Sequence, residues 1–204
     1  MAVSTVLETG TFLIASLNLE APSFKRTVVL LLKYNDEGTV GVVVNRPLGE
    51  RINLYSSEEL IQYTCNLGAP EPTPRELGSM FFQGGPVEPG TLVFLHRLDH
   101  SGKDGAQPTE VCQGLYLGGD LDTIRAHTAV MDVERPVLRF YLGYAGWNPG
   151  QLEDEIARGA WHVCPGDVEL VLEPNPDKVW QQAVYGLGGK QRPMSFIPED
   201  VSVN

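Results

Sequence analysis

The chain has 204 residues, 42% of them hydrophobic and 20% charged, a composition typical of globular proteins that can bury a sizeable core. Its 26 acidic and 15 basic residues give a formal net charge of −11, which disfavours binding to phosphate backbones and to anionic lipid surfaces. The N-terminus lacks a basic signal region, and no apolar run is long enough to span a membrane. Cys65, Cys112 and Cys164 form no CxxC pair. We therefore expect a soluble, cytoplasmic protein without a membrane partner.

The first third of the chain favours β-structure. The segment "TFLIA" (11–15) predicts a strand, and two β-branched runs follow at 27–32 and 39–44. The sequence "NDEG" between these runs indicates a turn whose glycine can adopt positive φ. Because both runs are continuously apolar rather than alternating, we expect strands that are covered on both faces. A short helix capped by Ser56 or Ser57 is expected next.

The middle of the chain contains two segments that we interpret as irregular loops, at about 64–80 and 97–109. Prolines and glycines concentrate in the first of them, which indicates an irregular surface excursion. Around and after these loops, strands are expected at "TLVFLH", "EVCQGLYLGG" and "PVLRFYLG". A helix capped by Asp120 is expected to run to about His127.

The last third contains the densest run of unusual residues, "GYAGWNPGQLEDE" (143–155). It predicts a helix with Asn148 as N-cap and Gln151 three residues later, as in a capping box. Strands are expected at 160–165 and 167–172, and a second Asn-Pro pair opens a helix from 177 to about 185. We count eight or nine strands and three or four short helices without regular βαβ alternation. This pattern predicts a single α+β domain spanning 1–204.

The sequence lacks the common catalytic signatures, including GxSxG, the Walker loop, HExxH and paired zinc cysteines. His162 and Cys164 share one face of a predicted strand, but a metal site needs three or four ligands. We therefore predict no metal and no cofactor. Glu153 and Glu155 could act as acid and base, together with His96, if one carboxylate were desolvated. A solvated role at the helix N-terminus is the stronger interpretation.

Three short motifs suggest a ligand-binding groove. In "NRP", a strand delivers Asn45 and Arg46 to a turn, and a guanidinium is suited to carboxylate or phosphate. The alternative that we favour for Arg46 is a salt bridge to Glu153 or Glu155. The glycines of "QGGP" and "GYAGW" indicate close backbone approach or positive φ, and these loops could present amides to an anion. Equally, the aromatic rings of "GYAGW" could cap the core. The candidate groove comprises Asn45, Arg46, Gly84, Gly85, Tyr144, Trp147, Gln151 and Glu153.

Together, five motifs resemble the YqgE/AlgH family of uncharacterised bacterial proteins (UPF0301, DUF179). They are "GTFLIA" (10–15), "PSFKRTVVLLL" (22–32), "GTVGVVVNRPL" (38–48), "FQGGPV" (82–87) and "LGYAGWNPGQLEDEIARGAW" (142–161). The resemblance implies a compact α+β domain with a bifurcated, mostly antiparallel sheet bent into a pseudo-barrel and short helices outside. It carries over no established catalytic residues. The two irregular loops look longer than is usual for the family.

The family name implies a role in transcriptional regulation, of alginate synthesis genes in particular. However, the sequence contains no readable helix-turn-helix, and its acidic balance argues against direct nucleic-acid contact. We expect a non-enzymatic binding or regulatory protein that holds a small anionic ligand or a protein partner near the candidate groove. The alternative is a hydrolase that acts on a small anionic substrate in the same groove.

Overall fold

The computed structural model describes residues 6–49, 80–98, 106–120, 124 and 134–197. The helix expected after Ser56 and most of the loop predicted at 64–80 lie outside the described residues. The same holds for 99–105 of the second loop and for most of the helix expected after Asp120. These predictions, and that of a single domain spanning 1–204, stay predictions.

The described residues contain nine strands, three α-helices and two 3₁₀ turns. The strands are β1 (Thr11–Ala15), β2 (Val28–Asn35), β3 (Gly38–Val43), β4 (Phe81–Gln83), β5 (Val87–His96), β6 (Thr109–Cys112), β7 (Leu115–Leu117), β8 (Leu138–Trp147) and β9 (Trp161–Pro165). The helices are α1 (Gln151–Ala157), α2 (Val168–Val171) and α3 (Pro176–Leu187), and the 3₁₀ turns are Pro22–Phe24 and Arg192–Phe196.

All nine strands belong to one sheet, which branches at β8. Its main path runs β6-β7-β5-β8-β3-β2-β1-β9, and β4 pairs with β8 outside this path. The first part of β8 pairs with β5 and, in parallel, with β4, whereas Ala145–Trp147 pair with β3. Every pair except β4 with β8 is antiparallel. The bifurcated, mostly antiparallel α+β fold implied by the resemblance is confirmed.

The sheet curls into a half-barrel, and Gly10 lies where distant strands approach each other. A Cβ atom on Gly10, directly before β1, would lie 2.2 Å from the carbonyl oxygen of Val111 in β6. Because β1 and β6 stand near opposite ends of the strand order, only a curled sheet can bring them together. Gly10 also has φ +87°, a conformation that few other residues adopt.

Alternating side chains along the central strands build separate cores on the two faces of the sheet. Phe12 and Ile14 belong to the larger core, which α3 covers with Trp180 and neighbouring apolar residues. Leu13 belongs to the opposite core, which α1 covers with Leu152. The first half of β2 is fully buried, as the continuous apolar run predicted.

One expected strand is a helix. Residues 167–172 contain α2, because the Asp167 side chain accepts a hydrogen bond from the Glu169 amide and so caps the helix. Arg139, which is 2% exposed, donates to the carbonyl of Val171 at the other end, with an N···O distance of 2.6 Å. This second contact joins segments far apart in sequence, so local residue pattern did not reveal it.

Two further boundaries differ from expectation. "EVCQGLYLGG" forms the hairpin β6–β7 rather than one strand, since Gly114 adopts φ +76° in the turn. Helix α1 begins at Gln151, later than predicted, because Gly150 is left-handed at φ +81° and takes the N-cap position. The prediction of Asn148 as the N-cap of a capping box is therefore wrong, although Oε1 of Gln151 does accept a hydrogen bond from the Asn148 amide at 3.1 Å. The Asn175 cap of α3 is confirmed.

Candidate functional site

A cleft of about 450 Å³ lies between the turn after β3 and the first two turns of α3. It is lined by Arg26, Asn45, Arg46, Pro47, Asp177, Lys178, Trp180 and Gln181. Three of these side chains are cationic and one is anionic. In a chain with a net charge of −11, this concentration of positive charge makes the cleft a candidate anion site.

Asn45 positions the edge of the cleft that the sheet provides. Its Oδ1 accepts a hydrogen bond from the Val28 amide and its Nδ2 donates to the Arg26 carbonyl, both at 2.9 Å. The side chain is 8% exposed, and these contacts extend the pairing of β3 with β2 beyond the last ladder residue. Asn45 therefore holds Arg26 and Arg46 at one rim.

Arg46 is oriented by the backbone of a neighbouring segment. Its Nη2 donates to the carbonyl oxygen of Lys25. Within the described residues this is the one recorded hydrogen bond of the Arg46 side chain, whereas a guanidinium carries five N–H donors. The salt bridge that we favour for Arg46 does not form, and both carboxylates have other partners: Glu153 accepts from Tyr34, and Glu155 accepts from two indoles.

Arg26 links the cleft to the C-terminal part of the described chain. Its Nη2 donates to the Ile197 carbonyl at 2.7 Å, and its guanidinium carbon lies 4.7 Å from the ring centroid of Trp180. Trp180 is itself fixed, since its Nε1 donates to the Ala15 carbonyl at 2.9 Å. Arg26 has φ +54°, an uncommon conformation outside glycine that is enriched at functional sites.

The "QGGP" turn contacts the backbone of Arg46. The Gln83 amide donates to the Arg46 carbonyl at 2.8 Å, and the Gly84 amide donates to Leu142 at 2.8 Å. A Cβ atom on Gly84 or Gly85 would lie 2.2 Å or 2.1 Å from the backbone of β8. These glycines therefore permit close backbone packing. A hollow of about 40 Å³ at this junction is lined by Ser23, Phe24, Val43, Arg46, Gln83, Gly85 and Pro86.

The rest of the candidate groove lies elsewhere. The Tyr144 hydroxyl donates to Glu88 at 3.2 Å, and Trp147 belongs to the core covered by α1. The Glu153 carboxylate accepts from the Tyr34 hydroxyl at 2.6 Å. Gln151 donates to Glu155 at 3.0 Å. The structure thus brings "NRP" and "QGGP" together, whereas Trp147, Gln151 and Glu153 are on the opposite face from α3.

Glu155 is the centre of this second cluster. Its Oε2 accepts from the indole nitrogens of Trp147 at 3.0 Å and of Trp161 at 2.8 Å. Partial burial acts to raise the pKa of Glu155, but the hydrogen bonds from Trp161, Trp147 and Gln151, with the charge of Arg158, outweigh burial and lower it. A carboxylate held in its charged form by its neighbours is a structural acceptor and a poor general base.

The catalytic pair proposed for a hydrolase is not assembled. His96 is fully buried, its Nε2 lies 2.7 Å from the Gly118 carbonyl, and it pairs with Leu138 at the start of β8. Trp147, which contacts Glu155, is the last residue of β8. The nine intervening steps at about 3.3 Å each give a contour length of roughly 30 Å along β8. His96 and the contact of Glu155 thus lie at opposite ends of β8, which does not favour these two residues as one acid–base pair.

The sulfur and imidazole groups do not form a metal cluster in the described part of the chain. His162 and Cys164 are half-buried on β9, and no three His, Cys, Asp or Glu side chains converge among the described residues. Burial raises the pKa of Cys164 and of Cys112 to about 11. Both thiols are therefore weak nucleophiles at neutral pH.

Most residues that line the cleft were not identified from the sequence. Asp177, Lys178, Trp180 and Gln181 are on a helix separated from Arg46 by about 130 positions, and no motif connects the two segments. Lys25 and Arg26 are adjacent basic residues in the sequence. The position of this pair in front of a buried strand could have marked Arg26.

In the described part of the chain, no helix combines the length and apolar character that crossing a membrane requires.

The fold resembles the solution structure of AlgH from Pseudomonas aeruginosa, with 27% identity, a TM-score of 0.63, and coverage of 98% of this chain and 100% of that one. A crystal structure of protein DIP2367 from Corynebacterium diphtheriae gives a TM-score of 0.69 at 22% identity, covering 95% and 94% of the two chains.

Sequence relatives extend this similarity over nearly the whole chain. A UPF0301 protein of Chlorobaculum parvum is 34% identical over 200 residues, covering 98% of this chain and 97% of the relative. A UPF0301 protein of Chlamydia caviae is 31% identical over 201 residues, covering 98% and 96%. The family described as DUF179, AlgH-like, matches residues 12–192. The chain therefore belongs to the AlgH-like family.

Proposed function

We propose that this AlgH-like protein is a non-enzymatic, cytoplasmic binding protein whose cleft holds a small molecule with at least two negative charges. The observation that carries the proposal is the meeting of Arg26, Arg46 and Lys178 in one cleft of a chain with net charge −11. A regulatory role would then depend on occupancy of the cleft, and would need no direct contact with nucleic acid.

The arrangement of the cations supports a polyvalent anion. Arg46 is held by one donor on the Lys25 carbonyl, which leaves further donors of its planar fork for carboxylate or phosphate oxygens. The Lys178 ammonium has no recorded ion pair within the described ranges. It lies in the first turn of α3, where the helix dipole adds positive potential. Asp177 opposes part of this charge and favours a ligand that also carries a hydroxyl donor.

The dimensions of the cleft fit a small molecule. Ligand sites typically enclose about 300–1,000 Å³, and the cleft measures about 450 Å³. Trp180 and Pro47 provide apolar wall, and Gln181 adds an amide. Phosphate esters and polycarboxylic acids of this size share the required charge.

The lining residues support binding rather than hydrolysis. Among the described residues, the lining includes no serine, cysteine or histidine, and Asp177 is its one carboxylate. Nucleophilic catalysis needs an activated nucleophile beside a base. A hydrolase in a groove shared by "NRP", "QGGP" and "GYAGW" would also need Trp147 to be open to a substrate, whereas Trp147 is 7% exposed and packs in the core covered by α1.

We expect Arg46→Ala to weaken binding of a polyvalent anion by at least about tenfold, because a charge-assisted hydrogen bond is worth about 1.5–3 kcal/mol. Isothermal titration calorimetry at low ionic strength, with pyrophosphate and citrate as probes, measures this change. Arg135→Ala is the matched control, since Arg135 is an exposed arginine outside the cleft. Absence of heat with both probes, or equal weakening in both variants, would contradict the proposed site.

A further inference from the structure

Three exposed hydrophobic side chains, none of which lines the proposed anion site, form a surface beside α3. Phe196 is 72% exposed, Tyr185 44% and Ile197 38%. We call these three residues, together with Arg192, the platform. They are three of the five large hydrophobic side chains that are exposed in the described part of the chain, the others being Val6 and Leu17. Clustered exposed apolar groups with a polar rim are typical of interaction sites.

The platform is held in place by contacts on its inner side. The Tyr185 and Phe196 rings meet edge to face with centroids 6.4 Å apart, and the Arg192 guanidinium lies 4.0 Å from the Tyr185 centroid. Ser195 is buried and its hydroxyl donates to the Arg192 carbonyl at 2.7 Å. The carbonyl of Ile197 accepts from Arg26. The exposed rings are therefore presented by an ordered segment, which lowers the entropic cost of binding.

The rim of the platform is cationic. Arg192 belongs to it, Lys190 is exposed two residues earlier, and Arg26 contacts it through Ile197. In a protein of net charge −11, such a patch selects for carboxylates in a partner and steers their approach.

We propose that the platform docks an acidic peptide segment of a partner protein, in which an apolar side chain packs against Phe196 and flanking carboxylates face Lys190 and Arg192. A peptide fits better than single-stranded nucleic acid. Binding of single strands usually stacks successive bases on several open rings, whereas the Tyr185 ring is occupied by Arg192 and by its T-shaped contact with Phe196, which leaves Phe196 as the more open ring of the platform. A nucleic acid also carries a charge at every nucleotide, so its ends would meet the acidic remainder of the surface.

Fluorescence anisotropy with a labelled hexapeptide, Glu-Asp-Leu-Phe-Glu-Asp, tests the proposal on the full chain. We expect Phe196→Ser to weaken binding at least about tenfold, as removal of a central aromatic anchor does at interfaces. Val6→Ser is the matched control, because Val6 is 71% exposed and precedes β1, whereas α3 contacts the other end of β1 at Ala15. Control peptides replace Leu-Phe with Gly-Ser, or all four acids with Lys, and both should bind at least about tenfold more weakly.

Two further comparisons separate this surface from the anion cleft and from a nucleic-acid site. Arg46→Ala should change peptide affinity less than about threefold, since Arg46 lines the cleft and is not part of the platform. A labelled oligothymidylate of six nucleotides should bind more weakly than the acidic peptide. Absence of peptide binding, equal losses in Phe196→Ser and Val6→Ser, a loss in Arg46→Ala as large as in Phe196→Ser, or preference for the oligonucleotide would each overturn the proposal.

Discussion

Gly85→Ala is expected to destabilise the fold by at least about 3 kcal/mol, because overpacking against rigid neighbours is among the mechanisms of severe destabilisation. An alanine Cβ atom at this position would lie 2.1 Å from the carbonyl carbon and oxygen of Tyr144, and 2.4 Å from the Ala145 nitrogen. These are backbone atoms of β8, the strand at which the sheet branches. No side chain rotation can relieve the contact. Urea denaturation followed by tryptophan fluorescence measures the free energy of unfolding.

Gly90→Ala is the matched control for this change. Gly90 is within β5, and a Cβ atom there meets nothing within 4 Å. We expect its free energy of unfolding to stay within about 0.5 kcal/mol of the unsubstituted protein. A Gly85→Ala protein as stable as Gly90→Ala would show that β8 can move away from the "QGGP" turn, contrary to the packing described above.

This packing has a consequence for the candidate anion site. Gly84 bonds to both β3 and β8, since its carbonyl accepts from the Val43 amide at 2.7 Å and its amide donates to Leu142. Gln83 bonds to the Arg46 carbonyl. The two glycines therefore connect β8 to the residue that we expect to contact the ligand. They act on the site through position rather than through contact with the anion.

The sequence predicted those elements whose determinants are local. Strand β1 has the expected bounds, and the Asn175 cap of α3 is confirmed. The segment "DVELVL", which forms helix α2, is predicted from the sequence to be a strand. Its helical form is stabilised by the Asp167 cap and by Arg139 from β8. Neither apolar periodicity nor propensity reports such a long-range contact.

Only part of the candidate groove was predicted, because its remaining residues also come together through long-range contacts. Asn45, Arg46 and the two glycines of "QGGP" do adjoin, since strands β3 and β4 lead into neighbouring turns. The opposite wall of the cleft comes from α3. The position of α3 next to Arg46 depends on how β9 and α2, which precede it in the chain, are placed in the fold. In contrast, the side chain of Trp147 lies on the face covered by α1, because successive side chains of a strand alternate between the two faces and Ala145, two residues earlier, lies on that face as well. One residue of register decides which face a side chain joins.

Glu155→Ala is expected to destabilise the protein by about 2–4 kcal/mol, because each buried donor left without a partner costs about 1–3 kcal/mol. The substitution leaves the indole N–H groups of Trp147 and Trp161 without an acceptor, and these two residues are 7% and 3% exposed. Glu153→Ala is the control. Glu153 is exposed and bonds only to the Tyr34 hydroxyl among the described residues, so we expect a loss below about 1 kcal/mol. Equal losses would contradict a structural role for the indole contacts.

The same carboxylate predicts the direction of a pH dependence. Hydrogen bonds lower the pKa of Glu155 in the folded protein despite partial burial, so its contribution to stability is present above the unfolded pKa of about 4.3 and is lost as pH falls through the folded value. The difference in unfolding free energy between the unsubstituted protein and Glu155→Gln should therefore be full at neutral pH and narrow on acidification to about pH 3. Urea denaturation of both proteins across this range measures the difference, in which the contributions of all other carboxylates cancel. A difference that widens on acidification would mean that burial, rather than the three hydrogen bonds, determines the charge state of Glu155.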